Sequence, residues 1–134
     1  MSFLRGRALC TTVITILLIL ALALGCLYQR ERSRLQNAAF VQHVSELAWK
    51  ELPPGTNSQQ VLDFLAGHNI PHSEYMAFDS KDPHRDLYGA PAVVECRMRA
   101  NSVFPFKTTV YFLFRFDQDG KLQSFGHRLE DRFF

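Results

Sequence analysis

Histidine and cysteine side chains that could ligate a metal ion are scattered through the chain after the first third. The candidates are His68, His72, His84, Cys96 and His127. Two histidines four residues apart come close enough to hold one metal ion on a helix, and Ile70-Pro71 interrupts any helix between His68 and His72. The spacing therefore predicts no metal site, and no other pattern in the chain indicates a cofactor.

Acidic residues form two clusters with the composition of possible catalytic or calcium sites. Asp117-Gln118-Asp119-Gly120 contains part of a calcium-loop pattern, but the later glutamate that completes such a loop is missing. The alternating segments on both sides favour a tight hairpin turn there. Asp79, Asp82 and Asp86 are interleaved with basic residues, which is typical of solvated surface. Because no serine lies in a nucleophile-elbow motif, we predict that the protein is not an enzyme.

The three cysteines have different contexts. Cys10 and Cys26 lie in an apolar run, so Cys96 alone remains in the rest of the chain and no disulfide framework is possible there. Cys96 alternates with apolar residues, which predicts a core position. Cys26 ends the sequence Ala23-Leu24-Gly25-Cys26, which resembles a bacterial lipobox. Cys26 is therefore a candidate for lipidation.

The apolar run extends from Ala8 to Leu27 without a charged residue, between Arg7 and Arg30. As a helix, its 20 or so residues would be about 30 Å long, enough to cross the hydrocarbon core of a bilayer. The apolar region of a cleaved secretory signal is shorter, about 7 to 15 residues. We predict an uncleaved single anchor within residues 1–29. Lipidation of Cys26 would give the alternative, a lipid-anchored envelope protein.

Basic residues flank the apolar run on both sides. Arg30, Arg32 and Arg34 follow it at once, and we expect them to contact lipid headgroups. Because Arg5 and Arg7 lie on the other side, counting positive charges does not decide the orientation. A short basic start before an apolar run is the layout of a signal-anchor. We therefore predict a bacterial inner-membrane protein whose C-terminal part faces the periplasm.

The charge of the remaining chain is balanced. The 13 acidic groups all lie beyond residue 26, together with 13 of the 15 basic groups. Nucleic-acid-binding proteins concentrate basic residues on one face, and the juxtamembrane arginines are the one basic cluster visible along the chain. The composition therefore predicts no nucleic-acid partner.

Two helical segments precede the strands. The first, Glu31 to Leu52, has apolar residues spaced by three and four and continues the anchor as a helical stalk over residues 30–52. Pro53-Pro54-Gly55 ends it. Thr56-Asn57-Ser58-Gln59 then resembles a capping box, with Thr56 and Gln59 as the reciprocal pair. A short helix is predicted from Asn57 to Gly67, opening a domain over residues 53–134.

Segments of period two fill the rest of this domain. Strands are predicted over Glu74–Phe78, Ala92–Arg99, Lys107–Asp117 and Lys121–Arg128, with a polar loop from Asp79 to Asp86. The sequence thus predicts an α+β fold, with a short capped helix packed on a small antiparallel sheet of about four strands.

The third predicted strand separates two kinds of side chain. Val110, Phe112, Phe114 and Phe116 lie on one face, and Tyr111, Leu113 and Arg115 lie on the other. We expect the helices to cover the phenylalanine face. Aromatic, aliphatic and arginine side chains together are typical of protein-binding hot spots, so Tyr111, Leu113 and Arg115 are the partner-binding candidates.

The order of these motifs resembles a known family. Pro54-Gly55-Thr56 opens a capped helix, and the strands end in the hairpin Phe114-Arg115-Phe116-Asp117-Gln118-Asp119-Gly120-Lys121-Leu122. Over roughly Leu52 to Arg128 the chain resembles the small envelope proteins with a BamE/SmpA-like domain and related uncharacterised proteobacterial proteins. The resemblance implies an anchored or lipidated envelope protein that acts by binding other proteins. The longer helix before the domain and the longer loop around Pro83 depart from that pattern.

The predicted function is therefore a non-enzymatic interaction domain, held at the membrane by one anchor, that serves envelope assembly or maintenance through a protein partner. An immunity protein that neutralises a toxin in the periplasm is one alternative, because such a binder needs neither a catalytic pocket nor a cofactor. A lipid or small-molecule sensor is another, and it would require an apolar cavity.

Overall fold

A single long helix, α1, spans Ser2–Glu51 in the computed structural model, which describes residues 2–103 and 106–133. In its first part the side chains are described from residue 10 onward, and all those from Cys10 to Leu27 are exposed. Among the described residues, α1 is the one helix that is long enough and apolar enough to cross a membrane. An apolar surface of this size, uncovered by the rest of the fold, is what a membrane anchor requires.

The second half of α1 is part of the domain core. Val41, Val44 and Ala48 are buried on one face of the helix, followed by Leu52 at its end. Their spacing of three and four is that of a helix face packed on a sheet. The segment predicted as a stalk is therefore continuous with the apolar run and also lies against the strands. Pro53-Pro54 ends it, as predicted.

The short helix α2 spans Ser58–Gly67, one residue shorter than predicted. Its capping box uses Asn57 and Gln60, so the predicted pair of Thr56 and Gln59 is wrong by one residue. The Gln60 N–H donates to Asn57 Oδ1 at 2.9 Å, and the Asn57 N–H donates to Gln60 Oε1 at 3.4 Å. The Thr56 carbonyl accepts from the Leu122 N–H at 2.7 Å. That bond joins Thr56 to the start of β4, and the extended residue that caps the helix is Asn57.

Four antiparallel strands form one open sheet in the order β1-β2-β3-β4. Their bounds are Met76–Ala77, Ala92–Arg99, Phe106–Phe116 and Leu122–Phe133. The predicted Ala92–Arg99 strand is confirmed. β4 is longer than predicted because it pairs with β3 up to Phe106 opposite Phe133. β1 is shorter than predicted because the Ser73 hydroxyl, accepting from the Glu95 N–H at 2.9 Å, interrupts the ladder before it.

A short helix, α3, spans Pro83–Tyr88 and corrects the prediction of an irregular polar loop. Asp82 caps it by accepting from the His84 N–H at 2.9 Å. Pro83 occupies the first turn, and Gly89 leaves the helix with a φ of 66°. Aspartate, proline and glycine at these positions are ordinary start and stop residues of a helix.

The second half of α1 and the short helix α2 cover the same face of the sheet. Along β3 this face carries the buried Val110, Phe112, Phe114 and Phe116, as predicted. Packed against them are the α1 residues described above and Val61, Phe64 and Leu65 of α2. The opposite face of the sheet is covered by α3 and its flanking loops at one end, where Val93 is buried.

Candidate functional site

The open face of the sheet is the side away from α1 and α2. Tyr111, Leu113 and Arg115 lie there in a row along β3, each half-buried. Their neighbours across the ladder are set by the register: Arg97 and Arg128 flank Tyr111, and Gly126 lies opposite Leu113. The three partner-binding candidates are thus adjacent on one surface, and most of that surface carries no helix.

A groove of about 320 Å³ runs through this face. It is lined by Leu87, Tyr88, Glu95, Tyr111, Leu113, Arg115, Gly126, His127 and Arg128. One wall belongs to α3, where Leu87 is 76% exposed. Arg115 Nε donates to the Tyr88 carbonyl at 2.8 Å, so Arg115 holds this wall in place. Gly126 has no side chain, so the groove is deeper at this position.

The three longer strands give the open face a strong excess of positive charge. The register and alternation place six basic side chains on it, namely Arg97, Arg99, Lys107, Arg115, Arg128 and Arg132. The acidic ones are Glu95 and Glu130. The Tyr111 ring lies beneath two of the guanidinium groups, 5.9 Å from that of Arg97 and 5.1 Å from that of Arg128. This basic surface with an aromatic centre is complementary to acidic groups.

Glu130 is engaged within this surface. Arg132 Nε donates to Glu130 Oε1 at 2.8 Å, and this bond lowers the pKa of Glu130 below its usual value. Among the described residues, no ion pair within 4.0 Å holds Arg97, Arg99, Lys107 or Arg128. Their charge is therefore available to a partner.

This basic face is the feature that linear sequence reasoning missed. Its residues come from three strands and are spread over residues 97–132, while the acidic groups of the rest of the chain balance the total, so overall charge counting gave a balanced domain. The juxtamembrane arginines are consequently one of two basic clusters, which corrects the prediction. Alternation was the available signal, because Arg97 and Arg99, and likewise Arg128 and Arg132, share a face in any strand.

Arg30, Arg32 and Arg34, the residues expected to contact headgroups, lie on α1 beyond the apolar run. The Arg30 guanidinium is 4.9 Å from the centre of the Phe106 ring, and Arg34 pairs with Glu31 at 3.9 Å. Arg32 and Cys26 are exposed on the same helix. The positions of Cys26 and the three arginines are compatible with a bilayer around the preceding turns.

The metal-ligand candidates are dispersed. His68 contacts Glu51 at 3.4 Å, His72 contacts the Ser73 carbonyl, and His84 contacts Asp82 at 2.8 Å. No group of three or more histidine, cysteine or acidic residues within residues 2–103 and 106–133 could hold a metal ion. Burial raises the pKa of the Cys96 thiol to about 12. The predicted core position of Cys96 is confirmed.

No protein-family model, no curated protein and no solved structure matches this chain. The resemblance to the BamE/SmpA-like domains therefore depends on the motifs described in the sequence.

Proposed function

We propose that this protein is a membrane-anchored, non-enzymatic interaction domain that binds an acidic segment of a protein partner through the open face of its sheet. The N-terminal part of α1 is the anchor. The domain faces the periplasm from a bacterial inner membrane and serves envelope assembly or maintenance. The observation that carries this proposal is the excess of six basic over two acidic side chains around Tyr111 and its groove.

The chemistry of this face favours a protein partner. Leu87 and Leu113 supply apolar contact area in the groove, while the exposed guanidinium groups of the two arginines over Tyr111 supply positive charge. Aromatic and arginine side chains around a small apolar centre are the usual composition of hot spots at protein interfaces. An acidic peptide with one apolar residue would satisfy both parts of the groove.

The placement of α1 favours a protein over the bilayer as the occupant. Asn37 of α1 bonds to Asn101, beyond one end of the sheet, and Leu52 lies at the other end near Leu122. The helix thus runs beside the strands on the side opposite the open face. When α1 crosses the bilayer, the open face is directed sideways along the membrane surface, where a neighbouring protein can reach it.

Site-specific photo-crosslinking in native membranes tests the partner. A photoreactive residue at Leu113 should give one main crosslinked product, joined to an acidic segment of a membrane or periplasmic protein. The matched control is a photoreactive residue at Gln42, which lies on α1 away from this face and should not give that product.

Charge reversal identifies the contribution of the basic face. Arg97→Glu with Arg128→Glu should abolish the Leu113 product, whereas Lys50→Glu, a reversal on exposed α1 surface, should preserve it. Gly126→Val should also abolish it without a change in charge, because a Cβ there meets only Arg115 Nη1, at 3.7 Å, and the added side chain fills the groove. A product that survives both variants would refute the proposed face. Displacement by polynucleotide but not by an acidic peptide would indicate a nucleic-acid site instead.

Protease treatment of spheroplasts tests the side of the membrane. The domain should be digested from outside in intact spheroplasts, and the chain should resist extraction with alkaline carbonate because α1 spans the bilayer. Protection of the C-terminus until lysis would place the domain in the cytoplasm. A single toxin bound in equal amounts would favour the immunity alternative, whereas envelope-assembly proteins would support the proposed role.

A further inference from the structure

A second groove, the juxtamembrane groove, lies on the other side of the sheet, where α1 leaves the apolar run. Its volume is about 540 Å³, and small-ligand sites commonly have about 300–1,000 Å³. Leu27, Arg30, Arg34 and Ala38 form its helical wall, three or four residues apart. The same stripe continues into the buried Val41. The groove is therefore the unfilled, membrane-proximal end of the helix–sheet interface.

The opposite wall comes from the ends of β3 and β4. Phe106, Thr108, Leu129 and Asp131 face the helix there. The Thr108 hydroxyl donates to Asp131 Oδ1 at 2.6 Å, which fixes that carboxylate. Arg30 lies over the Phe106 ring and bridges the two walls.

The width of the groove is held by a buried polar contact. Asn37 is 4% exposed, and its side-chain amide pairs with the backbone of Asn101 in both directions, at 3.0 Å and 2.9 Å. Such a pair fixes the helix against the loop that follows β2. Small side chains at Ser33 and Ala38 leave the space beside it open. The groove is thus a fixed feature of the packing.

Both signs of charge line this groove. Arg30 and Arg34 lie beside Glu31 and Asp131, and Leu27 and Leu129 supply apolar surface near them. The Arg34 side chain is 81% exposed and the Glu31 side chain 62%, so both groups can turn toward a ligand. A ligand with a phosphate next to a protonated amine, attached to an apolar body, matches this arrangement.

We infer that the juxtamembrane groove binds one phospholipid with a zwitterionic phosphoethanolamine headgroup. The two arginines donate to its phosphate, Glu31 and Asp131 accept from its ammonium, and the leucines contact the glycerol and first acyl carbons. This inference rests on the anchoring proposed above, because an α1 that crosses the bilayer up to Leu27 brings the mouth of the groove to the headgroup layer.

Arg32 provides an internal control for this assignment. It lies two residues from both Arg30 and Arg34, about 200° around the helix from each, and it does not line the groove. General attraction to anionic lipids would involve all three arginines equally. A specific headgroup site involves Arg30 and Arg34 and leaves Arg32 dispensable.

Native mass spectrometry of the full chain, released from nanodiscs of defined composition, tests the site. In an equal mixture, phosphatidylethanolamine should be retained about ten-fold more than phosphatidylcholine, whose quaternary ammonium lacks N–H donors for Glu31 and Asp131. It should also exceed phosphatidylglycerol, which lacks the ammonium. Equal retention of the three lipids, or a preference for phosphatidylglycerol, would overturn the inference.

Single substitutions then locate the binding. Arg34→Gln and Glu31→Gln should each reduce phosphatidylethanolamine retention about ten-fold, through loss of one charge-assisted hydrogen bond, and Arg32→Gln should leave it unchanged. Because these side chains are exposed, the fold should survive, which Trp49 fluorescence can verify. If Arg32→Gln lost as much phosphatidylethanolamine retention as the other two variants, general surface charge and not a specific site would account for the binding. Binding of soluble phosphoethanolamine as tightly as the lipid would assign a small-molecule site instead.

Anchoring and lipid selection fail in different ways. A chain that alkaline carbonate extracts from membranes contradicts the proposed anchor. A chain that stays in the membrane but retains no lipid preference contradicts the headgroup site alone.

Discussion

At the residue scale, one asparagine fastens the long helix to the sheet. Asn37 is buried and makes two hydrogen bonds with the backbone of Asn101, and Ser33 donates to the same carbonyl at 2.8 Å. A buried amide is stable only when its donor and acceptor are paired. Both are paired here, so Asn37 fixes the position of the helix along the sheet.

Replacing Asn37 with alanine should destabilise the domain by about 1–3 kcal/mol, because the two hydrogen bonds between its buried side chain and the Asn101 backbone are lost. Denaturant unfolding in detergent, followed by Trp49 fluorescence, measures this change, since the Trp49 and Phe125 rings are in contact, with 4.8 Å between their centres and a tilt of 45°. Gln42→Ala is the matched control, because the bond from Gln42 to Glu46 is exposed, and a change within about 0.5 kcal/mol is expected. Equal effects of the two variants would contradict the fastening role.

Cys96 should be inert in the folded protein. Its thiol is fully buried and burial raises its pKa to about 12, so the reactive thiolate is absent at neutral pH. In a chain with Cys10→Ser and Cys26→Ser, maleimide labelling of Cys96 should occur only as fast as the domain unfolds. Rapid labelling without denaturant would contradict this expectation.

The same thiol should make stability fall at alkaline pH. An unfolded thiol ionises near pH 8.5 or so, whereas the folded one does so at about 12, so the unfolded state binds fewer protons between these values. The thiol's contribution is intact below the lower value and is lost progressively as pH rises through the window. Unfolding measured at pH 7 and pH 10 should show a smaller loss in Cys96→Ala than in the parent chain.

At the element scale, the start of α2 is set by its contact with the sheet. Asn57→Ala should cost about 1 kcal/mol through loss of the cap, because Asn57 Oδ1 accepts from the Gln60 N–H. Gln59→Ala removes only an exposed bond to Asp63 and should change stability by less than about 0.5 kcal/mol. Thermal unfolding of both variants compares them. A larger loss in Gln59→Ala would restore the Thr56–Gln59 box expected from the sequence.

Elements with strong local patterns were predictable, and those decided by tertiary pairing were not. The three-and-four spacing gave α1 and α2, and alternation gave the faces of β3 with Phe112 and Tyr111 on opposite sides. β4 is long because β3 pairs with it up to Phe106. β1 is short because the Ser73 hydroxyl accepts from the Glu95 N–H. Neither contact is encoded in local propensity.

The candidate site was predictable in the same partial way. Alternation along one strand placed Tyr111, Leu113 and Arg115 together, which the structure also does. The basic face required the register between three strands, since Arg97 and Arg128 meet at Tyr111 only after pairing. The juxtamembrane groove could be predicted only if the helix expected to be a stalk was known to pack on the sheet.

At the scale of the whole molecule, α1 and β4 run in opposite directions. The Gly55 N–H donates to the Leu122 carbonyl at 2.8 Å near the end of α1, whereas Phe133 packs on Phe106, which lies beneath Arg30. The C-terminal end of β4 therefore lies beside the part of α1 that directly follows the apolar run. Trp49, 22 residues beyond Leu27, is about 33 Å further along the helix.

Tryptophan fluorescence in bilayers with brominated lipids tests this arrangement. In a Trp49→Phe background, Phe133→Trp should be quenched, because its position is exposed and the proposed anchor would bring it to the height of the headgroups. Gln123→Trp lies at the other end of the same strand and should not be quenched. The core holds this strand beside α1, so that end of the strand is far from the bilayer. Equal quenching at both positions would mean that the domain lies flat on the bilayer. In that case the open face would not be directed sideways, and a neighbouring protein would not be its occupant.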